Sequence, residues 1–291
     1  MTLLKDYSRL TKLGIVVFVL LTATAGYFLS LDNIFLFSKE KYLLFILGLY
    51  LVSSGSFVLN QSQEWKLDQK MERTKRRPIA RKSLTPFQGF VLSFTMILFG
   101  SFVIFLVSPL ASFLSLLTVS LYNGFYTLLW KRRWSHGAVL GALPGALPPV
   151  IGYSLGNENL FSTECVYLFL LMFLWQMPHF WSLAIRYKEQ YQQGGVPVLP
   201  VICGVQKTIY EMGFYMIAYL GLALISPLFL RVGLMYLLLL IPLVLKVLYE
   251  FFHYSNYHNK WLRFFLWINI SIIVYLSVPV LDKWFFDYLV F

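Results

Sequence analysis

A long apolar run of this 291-residue chain gives way to Asn60-Gln-Ser-Gln-Glu64-Trp-Lys-Leu-Asp68-Gln-Lys-Met-Glu-Arg73-Thr-Lys-Arg-Arg77-Pro78. Asn60, Glu64 and Asp68 recur every four residues. On a helix continued from the apolar run they share one stripe, roughly 12 Å long at about 1.5 Å per residue. Three oxygen ligands then face one way. A hard cation such as Mg²⁺ prefers carboxylate and carbonyl oxygens and completes its shell with water and substrate phosphate. A diphosphate would supply the missing oxygens. Arg73 and Arg77, again four apart, bring guanidinium groups that pair with phosphate oxygens two bonds at a time. The alternative is a solvated helix laced with charge pairs, as most charge runs are.

Three other stretches stand out in the sequence. One is Tyr126-Thr127-Leu-Leu-Trp130-Lys131-Arg132-Arg133, read either as an interfacial Trp with basic topology signals or as Lys131 and Arg132 completing an anion pocket with Arg73 and Arg77. A second, Trp175-Gln176-Met177-Pro178-His179-Phe180-Trp181, puts Gln176 and His179 inside a membrane segment, where such groups are costly and functional by default. His179 also has a structural reading, since Pro178 frees an upstream carbonyl that an imidazole can satisfy. Glu189 is the only acid in the loop that follows. The third, Gly137 to Tyr153, combines small residues four apart with Pro144, Pro148 and Pro149, which predicts close packing and a bend rather than substrate contact.

These residues need a membrane scaffold to position them. With 58% hydrophobic and only 13% charged residues, the chain is far more apolar than a soluble domain. Nine segments approach bilayer-spanning length, at about 13–31, 42–59, 87–107, 109–129, 137–156, 160–185, 208–226, 232–252 and 264–281. Short connections and the lack of a Gly/Ser- or Pro-rich linker predict one helical bundle, a single domain over 1–291. The apolar runs do not alternate with period two, which argues against a barrel.

The net charge of +11 does not point to nucleic acid. With a cytoplasmic N-terminus and an outer C-terminus, all of the 24 lysines and arginines except Lys39, Lys41, Arg231 and Lys283 fall on the inside, as the positive-inside rule requires. Cys165 and Cys203 then lie near opposite faces, so no disulfide is expected. Neither a transit peptide nor a cleavable signal is evident, and the expected location is a bacterial-type plasma membrane, the inner membrane of the cell.

Taken in order along the chain, Leu10-Thr11-Lys12, Ala25-Gly26-Tyr27, the block at 60–81, Tyr126-Thr127 to Arg132, Gly141 to Gly152 and Trp175 to Pro200 resemble the UbiA-type intramembrane prenyltransferases. The Trp-Gln-Met-Pro-His-Phe block is similar to the haem-modifying branch. The resemblance implies an all-α integral membrane protein, a nine-helix transmembrane bundle around a lipid-open cavity. Two acidic motifs at its cytoplasmic mouth would hold Mg²⁺ and prenyl diphosphate. Asn60, Glu64 and Asp68 match the first motif; Arg73, Arg77, Lys131 and Arg132 match the diphosphate-gripping positions; His179 matches the histidine of the Pro-His motif. The second motif departs from the pattern. Gln190 stands where an acid is usual, before Tyr191, so either Glu189 substitutes as a metal ligand or that half of the metal site is weaker.

The implied activity is transfer of the farnesyl group of farnesyl diphosphate to a vinyl group of haem B, giving haem O and diphosphate. Implied partners are membrane lipid and, downstream, a haem A synthase or cytochrome oxidase. The rival readings are a sister prenyltransferase acting on a quinone precursor and a non-catalytic transporter. Transporters place coupling charges at broken helices near the membrane midplane, whereas these acids lie at its edge.

Overall fold

The computed structural model describes residues 2–257 and 260–286, and every regular element among them is helical. In chain order the helices are α1 (Thr2–Thr11), α2 (Leu13–Ser30), α3 (Lys39–Gln69), α4 (Pro86–Phe105), α5 (Pro109–Arg133), α6 (Gly137–Tyr153), α7 (Thr163–Arg186), α8 (Lys188–Gln193), α9 (Val205–Leu224), α10 (Leu234–Asn256) and α11 (Trp261–Leu281). Seven of the described helices, α2, α3, α4, α5, α7, α10 and α11, are long and apolar enough to cross a membrane. The remaining two apolar segments lie on α6, which has only 17 residues, and on α9, whose first two turns carry Lys207 and Glu211.

Local chemistry explains where these helices start. Ser38 caps α3 by accepting from the Lys41 N–H. Thr85 and Gln88 form a reciprocal capping box ahead of α4, with Pro86 at its first position. Ser108 and Ser162 cap α5 and α7 in the same way. The apolar stretch at 42–59 occupies little more than half of α3. At 31 residues the helix is roughly 46 Å long, against a hydrocarbon core of about 30 Å. Its last ten residues, Asn60–Gln69, therefore project beyond the apolar layer while remaining helical.

Most of the large side chains left uncovered are apolar. On α4 alone Phe94, Leu98, Phe99, Phe102 and Phe105 are exposed, as expected of a surface solvated by lipid. Inside, one core joins α2, α3, α6, α7, α9, α10 and α11, with Phe45, Tyr167, Trp181, Tyr219 and Phe264 fully covered. The close-packing expectation for Gly137–Tyr153 matches what is seen. A Cβ on Gly26 would overlap the Pro149 carbonyl, and one on Gly152 would overlap the Ala23 carbonyl. Small residues on both sides thus let α2 and α6 touch backbone to backbone. Gln176 belongs to the same brace: its Nε2 donates to the carbonyls of Ala142 on α6 (3.0 Å) and Met172 (3.1 Å).

Candidate active site

The projecting end of α3 buries the three side chains of the four-residue stripe. Asn60, Glu64 and Asp68 are 2%, 2% and 1% exposed, and each oxygen group meets a cation. Lys12 Nζ donates to Asn60 Oδ1 at 3.0 Å. Lys131 Nζ lies 2.8 and 2.7 Å from the two Glu64 oxygens. Arg77 Nη1 lies 2.7 and 2.8 Å from those of Asp68. Carboxylates removed from water need such partners.

Much of this order comes from α5, which runs alongside α3. From Ser120 to Trp130 it winds as a π-helix, a form concentrated at functional sites. Three of the contacts between the pair form evenly spaced rungs. Ser56 donates to Asn123 Oδ1 (2.6 Å), Asn60 Nδ2 donates to Thr127 Oγ1 (3.1 Å), and Lys131 meets Glu64. Every rung separates the partners by 67 residues. A constant separation means the two helices run parallel, with the antiparallel α4 joining them. Tyr122 and Tyr126 stack along the same stretch (centroids 5.8 Å apart), and Phe57 sits edge-on to Tyr122.

The two polar loops meet at Arg73. Its backbone N–H donates to Gln190 Oε1 (3.1 Å), its Nη2 donates to the Tyr191 hydroxyl (3.3 Å), and its guanidinium lies over the Tyr187 ring at 4.9 Å. Met71, Tyr191, Val196 and Val198 pack together beneath that contact. Between the loops and the N-terminal helix opens a cavity of about 250 Å³ lined by Arg9, Lys12, Arg73, Arg76 and Arg77. Five cations around one small space form a site for a polyanion.

Arg9 and Lys12 arrive from far away in sequence. Gln61 Nε2 donates to the carbonyls of Arg9 (2.9 Å) and Leu10 (2.6 Å), which ties the end of α1 to α3. Lys12 then takes a left-handed backbone (φ 53, ψ 50) between α1 and α2, an uncommon conformation for a non-glycine residue. Its ammonium reaches Asn60 and lies 5.0 Å from the Phe57 ring centroid. Burial, reinforced by the neighbouring Arg77 charge, pushes the Lys12 pKa well below the ordinary lysine value.

Of the residues singled out in sequence, the structure brings together Asn60, Glu64, Asp68, Arg73, Arg77 and Lys131. Arg132 reaches the same stretch of α3, with Nη2 3.5 Å from the Gln63 carbonyl. Glu189 is exposed on α8, and no hydrogen bond or ion pair joins it to the α3 acids among the described residues. His179 lies deeper, on α7, its ring centroid 4.6 Å from that of Trp175 and 5.0 Å from that of Phe265. Its Nδ1 is buried without a hydrogen-bond partner, so that nitrogen does not satisfy the carbonyl freed by Pro178. Arg9, Lys12 and Arg76 were not singled out as site residues, because nothing local in a basic, membrane-proximal stretch distinguishes a ligand from a topology signal.

The α3 set suits Mg²⁺. Its donors are two carboxylates and one amide, all hard oxygens, and they are too few to complete an octahedral shell. No cluster of three His, Cys, Asp or Glu side chains occurs among the described residues. The positions that these three donors leave open suit phosphate oxygen and water.

A profile of the UbiA prenyltransferase family matches residues 19–270. Over 286 residues, 98% of both chains, the sequence is 48% identical to a protoheme IX farnesyltransferase of Bdellovibrio bacteriovorus. It is 35% identical to a protoheme IX farnesyltransferase of Leptospira biflexa, covering 85% of this chain and 86% of that one. The fold is similar to that of a digeranylgeranylglyceryl phosphate synthase (TM-score 0.77, 17% identity, 97% and 99% of the two chains). It is also similar to that of a UbiA homologue from Archaeoglobus fulgidus bound to GPP and Mg²⁺ (TM-score 0.69, 14% identity, 94% and 99%). With a family match over most of its length and near-full-length relatives at this identity, the chain belongs to the UbiA prenyltransferase family.

Proposed function

We propose that this chain transfers the farnesyl group of farnesyl diphosphate to a vinyl group of haem B, forming haem O and releasing diphosphate. The observation that carries the reading is the meeting of the buried α3 oxygens with a five-cation cavity at one end of an apolar bundle. Near-full-length similarity to protoheme IX farnesyltransferases supports the acceptor.

In this reading Asn60, Glu64 and Asp68 hold Mg²⁺, and Arg73, Arg77, Lys131 and Arg132 grip the diphosphate, joined by Arg9, Lys12 and Arg76. The metal supplies electrophilic stabilisation of the leaving diphosphate. Breaking the allylic carbon–oxygen bond concentrates negative charge on diphosphate and positive charge on the isoprenoid. Preorganised guanidinium and ammonium groups stabilise the first. Ring faces near Asn60 suit the second, for Lys12 already rests a cation on the Phe57 ring. The farnesyl C1 bonds to the terminal vinyl carbon, a water oxygen adds to the inner one, and one proton is released. His179 is assigned to the haem, as an axial ligand or in orienting the macrocycle or water, on the strength of its unpartnered Nδ1 and flanking aromatic rings.

The chain is read further as one domain in a bacterial inner membrane, N-terminus inside and C-terminus outside. The test is to incubate purified protein with haem B, farnesyl diphosphate and Mg²⁺ and to resolve the extracted haems by mass. Haem O from the wild type and none from Asp68→Ala is expected. Unmodified haem together with prenylation of a quinone precursor would move the assignment to a sister activity. No diphosphate release with any acceptor would end the enzymatic reading.

A further inference from the structure

We propose that Thr127 is a positioning residue that aims the carbonyl oxygen of Asn60 at the metal position. The inference rests on the reading of Asn60, Glu64 and Asp68 as the metal set. A carboxamide has two nearly isosteric ends, and only the oxygen end can ligate a cation. Which end faces the site is decided by the partners around it.

Those partners form a directed chain. The Thr127 hydroxyl has one proton, and it donates that proton to the Tyr122 carbonyl at 2.8 Å, within the π-helical stretch of α5. Toward Asn60 the same oxygen can therefore only accept. It takes the Nδ2–H of Asn60 at 3.1 Å, while the second Nδ2–H goes to Glu64 Oε2 at 3.0 Å. Both amide hydrogens are thereby committed, and Oδ1 is left pointing at Lys12 Nζ, 3.0 Å away. In this scheme the Lys12 ammonium marks the place that a metal cation would take beside Oδ1. Thr127 is fully buried and Asn60 nearly so, so water does not replace a lost partner cheaply.

Thr127 touches neither metal nor substrate in this scheme. Replacing it with the isosteric Val removes the acceptor, lets the amide present its NH₂ group to the metal, and leaves the packing volume almost unchanged. Outer partners of metal ligands commonly influence affinity by about 10- to 100-fold.

The test measures Mn²⁺ binding to the purified full-length chain in the presence of inorganic diphosphate, by loss of the free Mn²⁺ spectrum. Thr127→Val should weaken binding about tenfold, with kcat falling more than KM for farnesyl diphosphate changes. Thr127→Ser, which keeps the hydroxyl, should restore most of the loss, and thermal unfolding of all variants reports on folding. Asn60→Asp provides a second arm that survives any packing effect of valine. A carboxylate has no wrong end, so adding Thr127→Val to Asn60→Asp should cost less than about threefold. Equal losses in both backgrounds, or serine failing as valine does, would overturn the inference. A wild type that takes up no Mn²⁺ with diphosphate would overturn the metal reading beneath it as well.

Discussion

Among the described residues, Glu64 and Asp68 are buried carboxylates ion-paired to side chains with other duties. Lys131 and Arg77 neutralise them in the absence of ligand, and a metal with diphosphate would redistribute those pairs. Lys131→Met leaves Glu64 buried without its cation, which commonly costs about 3 kcal/mol. Denaturation of this variant in detergent should show the loss, and Mg²⁺ with diphosphate should restore part of it. The two candidate metal sides are expected to differ. Asp68→Ala should lower haem O formation by at least about 100-fold, whereas Glu189→Ala, at an exposed carboxylate, should lower it by less than about tenfold. Steady-state rates of both variants give the comparison. The spacing of Asn60, Glu64 and Asp68 made their shared stripe legible in sequence, because helical periodicity is local. Lys12 was not legible as their partner, because its approach depends on a left-handed backbone joint and on Gln61 holding α1.

Among the elements, α2 and α6 show how tightly the scaffold is set. Gly152→Val drives a side chain into the Ala23 backbone carbonyl, which cannot rotate away. Overpacking of this kind costs about 1–3 kcal/mol. Gly145→Ala meets only the end of the Gln176 side chain, which can turn aside. Thermal unfolding should therefore rank Gly152→Val well below Gly145→Ala. A second device closes the bundle near its C-terminal end. Gly233 stands at the N-cap of α10 and has no side chain to offer, so Asp282, just after α11, accepts from the backbone N–H groups of Gly233 (3.0 Å) and Tyr236 (2.8 Å). At the opposite ends of these helices Glu250, almost fully buried, accepts from Lys246 and Arg263, both at 2.8 Å. Helix α5 illustrates what composition does not announce. Its apolar length is evident in sequence, but its π-helical winding is not, since that winding is stabilised by rungs to α3 rather than by propensity.

For the whole molecule, the strongest prediction concerns orientation. Ser83 follows the basic block and Asn159 lies between α6 and α7; both are exposed. In a Cys203→Ser background with native Cys165 buried, a membrane-impermeant thiol reagent should label Ser83→Cys only from the cytoplasmic side and Asn159→Cys only from the outer side. Reversed labelling would invert the topology. The amino-acid sequence alone settled the membrane-embedded helical class and the acidic and basic clustering after the second apolar segment, because hydropathy and four-residue spacing act over short stretches of chain. Only the tertiary structure decided which charges meet. The 67-residue rungs between α3 and α5, the closure of the cavity by Arg9 and Lys12, and the seating of Arg73 on Gln190 and Tyr191 all depend on contacts between distant segments. Such contacts arise from the packing of whole helices, which no local pattern of residues encodes.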